Sequence, residues 1–184
     1  MPDTNEQKTA IFEGEFRAYV FSMREVLKGT KDLLRAAGYS MQSPVPAGLV
    51  KPSFRARRTW AGRQNEIFAV ARPELSIAVD GLVYLSAARS ILGSSVEYVL
   101  LLPPINEYLL IEFLADSDYL VQREMDRNRI SLWMCNPAEE ALVSFVGLSC
   151  DPVFRQSPAM PGMVSMDMIR RMKEREAKRG TQTS

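Results

Sequence analysis

An α/β (or α+β) domain with a mixed central β-sheet and flanking helices is what this sequence predicts, on three observations. Glu66 to Pro104 reads as a strand, a long apolar helix and a second strand. Val96 to Leu102 is apolar except for Glu97, the pattern of a strand buried on both faces. Just upstream, residues alternate in character on either side of a Gly-containing turn, as in an antiparallel hairpin. Strand, crossover helix and strand together imply at least one parallel pair.

The elements follow in order. Met1 to Ala10 is polar and is expected to be a flexible end, ahead of a single domain over 11–150. Phe16, Val20, Met23, Leu27, Leu33 and Leu34 give one apolar face to a helix over Ile11 to Ala37, with Gly29-Thr30 a place for a kink and Gly38 a stop. Tyr39 to Pro52 holds Pro44, Pro46, Gly48 and Pro52 and reads as loop or irregular edge strand. Phe54 to Thr59 is a strand, Ala61 to Asn65 a turn and Glu66 to Arg72 the returning strand. Pro73 ends that strand, and a helix runs from there to Gly93. It is apolar over most of its circumference, so burial on more than one side is expected, by other elements or by a partner subunit.

Pro103-Pro104 closes the next strand. Asn106 can cap a helix over Glu107 to Ala115, with a hairpin as the competing reading for 107–115. Asp116-Ser117-Asp118 reads as a break before a helix from Tyr119 to Asn128. Ile130 to Cys135 is a strand, and Ala138 to Leu148 a short helix or an edge strand. Residues 151–184 read as a Pro/Met-rich linker and a basic C-terminal tail or docking helix. Met160, Met163, Met166, Met168 and Met172 fall here, half of the chain's 10 methionines, with Arg170, Arg171, Lys173, Arg175, Lys178 and Arg179. Methionine suits irregular apolar contacts, and a basic amphipathic end suits a protein partner.

Composition narrows the chemistry. The 184 residues carry a net charge of +1, so any basic site must be local. Histidine is absent, which removes the commonest general base and metal ligand, and with it histidine-dependent hydrolase chemistry within this chain. Cys135 and Cys150 are too few for a disulfide framework, and Cys135 in ISLWMCNP reads as a buried structural thiol. A zinc site is not expected. Met1 to Ala10 lacks the apolar core of a signal peptide and no run of eighteen apolar residues is present, so the expected setting is cytoplasmic and away from membranes.

The order helix, irregular segment, hairpin, helix, buried strand, helix, strand, with LLRAAGY ahead of the hairpin, resembles the restriction-endonuclease-like (PD-(D/E)XK) superfamily over roughly Phe16 to Pro137. The resemblance implies acidic residues on adjacent strands that hold magnesium or manganese, and a lysine that orients the attacking water. On this chain Val70, Ala71 and Arg72 fall at the acid-spacer-lysine position, and Arg55, Arg57 and Arg58 stand where an acid is wanted. Glu66 and Glu74 are the nearby carboxylates, and Glu25 matches an accessory acidic position. Catalytic and metal residues are therefore not assigned, and the chain resembles a degenerate member of that superfamily.

Two features remain as candidates for binding. Arg55, Arg57, Arg58, Arg63 and Arg72, with Trp60 as a stacking surface, could contact nucleic acid; the competing reading is a wet sheet face whose arginines pair with acids from the first helix. The broad apolar helix and the methionine-rich end point to a protein partner or a homo-oligomer. Asp80 and the acids Glu107, Glu112, Asp116 and Asp118 read as solvated helix positions. The expectation is a non-catalytic binding or assembly module on a nuclease-like scaffold, without cofactor. The alternative is a divalent-metal-dependent nuclease using Glu25, Glu66, Glu74 and Arg72, with magnesium or manganese.

Overall fold

A computed structural model describes residues 21–60, 62–105, 107–146 and 162–181. Within these, a mixed seven-stranded sheet lies between two layers of helices. The strands are β1 (Ser40–Gln42), β2 (Phe54–Trp60), β3 (Arg63–Ala71), β4 (Val96–Leu102), β5 (Ile130–Asn136), β6 (Ala141–Val146) and β7 (Gly162–Ser165). They lie side by side in chain order. β3–β4 and β4–β5 are parallel, and every other neighbouring pair is antiparallel. The helices are α1 (Met23–Ala36), α2 (Ala78–Leu92), α3 (Glu107–Asn128) and α4 (Met166–Thr181).

The pleat sends alternate side chains into two cores. Ile67, Ala69, Val99, Leu101, Trp133 and Cys135 face α1 and Ile169 of α4. Phe68, Val70, Tyr98, Leu100, Leu132 and Met134 face α2 and α3. This is why β4 and β5 read as unbroken apolar runs.

Several boundaries differ from the sequence expectation. The first ten residues of the expected 11–37 helix lie outside the described residues. From Met23 to Ala36 the helix is unbroken, opened by a capping box in which Ser22 Oγ accepts from Glu25 N and the Glu25 carboxylate accepts from Ser22 N. Gly29 serves packing instead of a kink: a Cβ there would lie 3.3 Å from Cys135 Sγ. Gly38 does end the helix, at φ +93°. Arg63, Gln64 and Asn65 belong to β3, because the turn is only two residues and Trp60 pairs with Arg63. Leu75–Ile77 is a short 3-10 turn ahead of α2.

The expected break at Asp116-Ser117-Asp118 is absent, since α3 runs through 22 residues as one helix. That also excludes a hairpin over 107–115. The segment after Ala138 is strand, and β7 pairs along its outer side, so β6 is not an edge. Residues 151–161, and Cys150, lie outside the described residues. From Gly162 the chain is part of the sheet, with Val164 and Ile169 in the core.

Candidate functional site

The predicted basic hairpin forms, but its arginines do not share one surface. Antiparallel partners point to the same face, so the pairs Arg55↔Phe68 and Arg57↔Glu66 place Arg55 and Arg57 on the α2 side. Arg58 points the other way and lies 5.9 Å from the Tyr39 ring centroid. Arg63 is exposed at the tip, and the Trp60 ring lies outside the described side chains.

Glu66 is held between two of these cations. Arg55 Nη2 donates to Glu66 Oε1, and Arg57 Nη2 lies 3.2 Å from Glu66 Oε2. The Glu66 and Arg55 side chains are 13% and 15% exposed. Burial pushes the Glu66 carboxyl up, but the hydrogen bonds and charges of Arg55 and Arg57 outweigh it and leave the carboxyl below its ordinary value. The geometry thus matches a sheet face whose arginines pair with an acid, although the acid sits on the partner strand and not on the first helix.

Glu25, Glu66 and Glu74 do not converge. Glu66 stands five residues before the end of β3, about 17 Å of strand from the turn that carries Glu74. Glu74 is exposed and accepts from Ser76 Oγ at 3.1 Å. Glu25 caps α1 on the opposite face of the sheet, beside Pro137 and Glu140. Arg72 follows Val70 on the α2 side, where its guanidinium lies 5.1 Å from the Tyr84 ring centroid and Nη1 donates to Ala71 O. Val70 is buried. Hydrocarbon and a ring-stacked arginine therefore occupy the acid and lysine positions that the resemblance implies. Among the described residues, no group of three or more Cys, Asp or Glu side chains could hold a metal ion.

Two cavities flank the sheet ends. One of about 330 Å³ lies at the start of β4 and β5, bordered by Glu66, Arg89, Glu97, Asp126 and Arg129. Arg89 is engaged there, donating to Asn128 O at 2.6 Å. The other, of about 290 Å³, lies between Ile105, Met134, Asn136 and Val143. Asn136 Oδ1 accepts from the backbone of Ala138 and Glu139, while its Nδ2 is buried without a hydrogen-bond partner among the described residues.

The most distinctive surface is the outer side of α2. Ala78, Gly81, Leu82, Leu85 and Ala88 are buried against the sheet. The opposite side leaves Val79 (47%), Val83 (61%), Tyr84 (47%) and Ile91 (59%) exposed, with Ile77 (39%) just before it. By length and composition Leu75–Leu92 could also cross a membrane, with 18 residues and mean hydropathy 1.4. Its inner face, however, is part of the sheet core. The expectation of burial on more than one side is met, among the described residues, on the side that faces the sheet.

A further residue of this surface was not signalled by the sequence. Ala47 and Val50 exchange both backbone hydrogen bonds, at 2.9 and 3.0 Å, across a tight turn with Gly48 at φ +58°. Leu49 at its tip is 104% exposed. Within PVPAGLV, Gly48 marks a turn, but nothing there tells whether the following leucine points inward. The Met-rich end contributes less: Met172 is exposed on α4, Met166 packs on the α1-side core, and the Met163 side chain and Met160 lie outside the description.

No family model and no curated protein matches the chain. Among solved structures, an XisH family protein from Nostoc punctiforme PCC 73102 is similar at 15% identity and a TM-score of 0.43, over 66% of this chain and 96% of that one. An fdxN element excision controlling factor protein from Anabaena variabilis is similar at 15% identity and a TM-score of 0.42, with the same coverage. The restriction endonuclease FokI is similar at 12% identity and a TM-score of 0.38, over 61% of this chain; the chain spans only 22% of FokI. Likeness of this degree carries no argument about activity or site residues.

Proposed function

We propose that this chain is a non-catalytic binding or assembly module of the cytoplasm, built on a nuclease-like scaffold, and that it engages a protein partner through the outer side of α2. The observation that carries the reading is the exposed row Val79, Val83, Tyr84 and Ile91 on a helix whose other side is already satisfied by the sheet. Apolar surface left uncovered in this way, here on either side of the exposed Asp80, is costly in water and marks contact sites. The separation of Glu25, Glu66 and Glu74 speaks against the metal-dependent nuclease, because phosphodiester cleavage needs oxygen ligands converging on the ion. The division of the arginines between two sheet faces, with Glu66 offsetting Arg55 and Arg57, speaks against a nucleic-acid groove.

The reading is tested by incubating the protein with single- and double-stranded DNA and RNA in magnesium or manganese. No cleavage and no salt-sensitive binding is expected, in wild type or in Glu66→Ala. Cleavage that Glu66→Ala abolishes would establish the nuclease instead. Salt-sensitive binding lost on replacing Arg55 and Arg57 with Glu would establish a nucleic-acid contact.

A further inference from the structure

We infer that the cavity at the carboxyl ends of β4 and β5 binds a small neutral molecule with an apolar body and a lactam edge, whose carbonyl accepts from Asn136 Nδ2 and whose N–H faces Glu139. The inference does not depend on the α2 surface. The cavity holds about 290 Å³ and is lined by Pro104 and Ile105 after β4, Met134 and Asn136 of β5, Glu139 of the following turn and Val143 of β6. β4 and β5 are a parallel pair. Ligands of open sheets collect outside the carboxyl ends of parallel strands, where the chain turns away and leaves a crevice.

Register brings the polar group to this place. Asn136 pairs with Ala141 and Met134 with Val143, so these side chains share one side of the sheet. It is the side of α2 and α3, to whose core Met134 belongs. Asn136 is only 3% exposed. Its Oδ1 is taken by Ala138 N at 3.0 Å and Glu139 N at 3.4 Å. That fixes which end of the amide is oxygen, since a reversed amide would set its NH₂ against two N–H donors. Nδ2 is thus left on the side of the amide away from the turn, buried and without a hydrogen-bond partner among the described residues. A buried donor in that position has lost its hydration without a replacement bond. Such groups are rare enough in native folds to call for a cause.

The lining selects the chemistry. Among its described residues there is no cation, and Glu139 brings a carboxylate, exposed to solvent at one edge. An anionic ligand would meet that charge uncompensated, and burial already pushes the Glu139 carboxyl up. A hydrocarbon would cover the walls but leave Nδ2 unpaired. A neutral carbonyl pairs it, and an N–H beside that carbonyl gives Glu139 a donor. A water alone suits the place less well. A buried water needs about 2–4 polar partners, and the side chains of Pro104, Ile105, Met134 and Val143 offer no strong donor or acceptor. The volume lies at the small end of the ~300–1,000 Å³ of ligand pockets, so a single ring is the matching size.

The test is an NMR titration of the full chain, following the Asn136 side-chain amide and the Met134 methyl. The probes are ε-caprolactam, cycloheptanone (the same ring without the N–H) and hexanoate. Caprolactam is expected to shift both signals saturably in the millimolar range, as a ligand of so few atoms allows. Cycloheptanone should bind roughly threefold more weakly, and hexanoate should not bind. Asn136→Asp keeps an oxygen for the two turn N–H groups but removes the donor, and should weaken caprolactam by roughly tenfold. Glu139→Ala, at an exposed position, should erase the preference for the lactam and admit hexanoate. No saturable shift with either ring in wild type overturns the site. Hexanoate binding wild type as well as the lactam does overturns the ligand class. An Asn136→Asp variant with native circular dichroism and undiminished caprolactam binding overturns the role of Nδ2. Should that variant not fold, wild type and Glu139→Ala decide between the same outcomes.

Discussion

Gly48 and Ile91 touch so closely that a Cβ added to Gly48 would lie 2.7 Å from Ile91 Cδ1. The contact joins the proline-rich loop after β1 to the last turn of α2, which are 43 residues apart in sequence, counting from 48 to 91. Gly48 is also at φ +58°, where an L side chain is strained. Gly48→Ala is expected to lower stability by about 1 kcal/mol, read as a lower urea midpoint at unchanged slope. An unaltered midpoint would mean that the turn relaxes without cost.

Glu66 couples stability to pH. Its folded-state pKa lies below the ordinary 4.5, so the carboxylate's contribution is present above that value and is lost as pH falls through the lower, folded one. Urea midpoints are expected to be level near neutrality and to fall on acidification below about pH 4.5. Glu66→Gln should be less stable at pH 7 by about 2 kcal/mol, since Arg55 is left mostly buried beside a neutral amide. The variant's deficit should shrink at low pH, where wild type has lost the same charge. A deficit constant with pH would assign the effect to packing.

Gly81 sets how closely α2 approaches the sheet. A Cβ there would lie 2.7 Å from Leu100 Cδ1 and 3.3 Å from Arg72 Cγ. Gly81→Val is expected to cost about 1–3 kcal/mol through overpacking. Gly81→Ala should be closer to neutral, because relief of helical glycine offsets part of the clash by about 1 kcal/mol. Thermal melts of the two variants decide the order, and equal loss in both would place the strain elsewhere.

Cys135 should be inert in the native protein. It is fully buried, and burial pushes its thiol up to about 11, against a smaller lowering by the Thr30 hydrogen bond. The thiolate is the reactive form. In a Cys150→Ser background, a thiol reagent at pH 8 should modify Cys135 only as fast as the chain unfolds, and at once in denaturant. Rapid modification of the folded protein would show that the α1-side core opens locally.

Legibility in the sequence followed how local each determinant is. The strand-helix-strand unit, the hairpin and the buried strands β4 and β5 could be read because their period and composition are set within a few residues. The SxxE capping box at Ser22 is equally local, but the reading of one apolar face over Ile11 to Ala37 passed over it. Asp116-Ser117-Asp118 read as a break because such residues favour caps. In the fold the whole stretch is carried as one helix, α3, by packing of Leu110, Val121 and Met125 on the sheet. β7 was missed because a four-residue strand after prolines has no period of its own and exists only by pairing with β6.

The sequence by itself determined the mixed α/β architecture, the absence of histidine chemistry and the apolar excess of the helix after Pro73. Those are properties of composition and short-range pattern. Only the tertiary structure decided where each charge and each apolar side chain ends up. Pairing of β2 with β3 put Glu66 between Arg55 and Arg57, turning a candidate metal ligand into half of an ion-pair cluster. Packing of α2 on one face of the sheet divided its apolar residues into a buried row and an exposed one. Folding of the loop brought Gly48 against Ile91. Each of these depends on contacts between residues far apart in the chain, which no local pattern encodes.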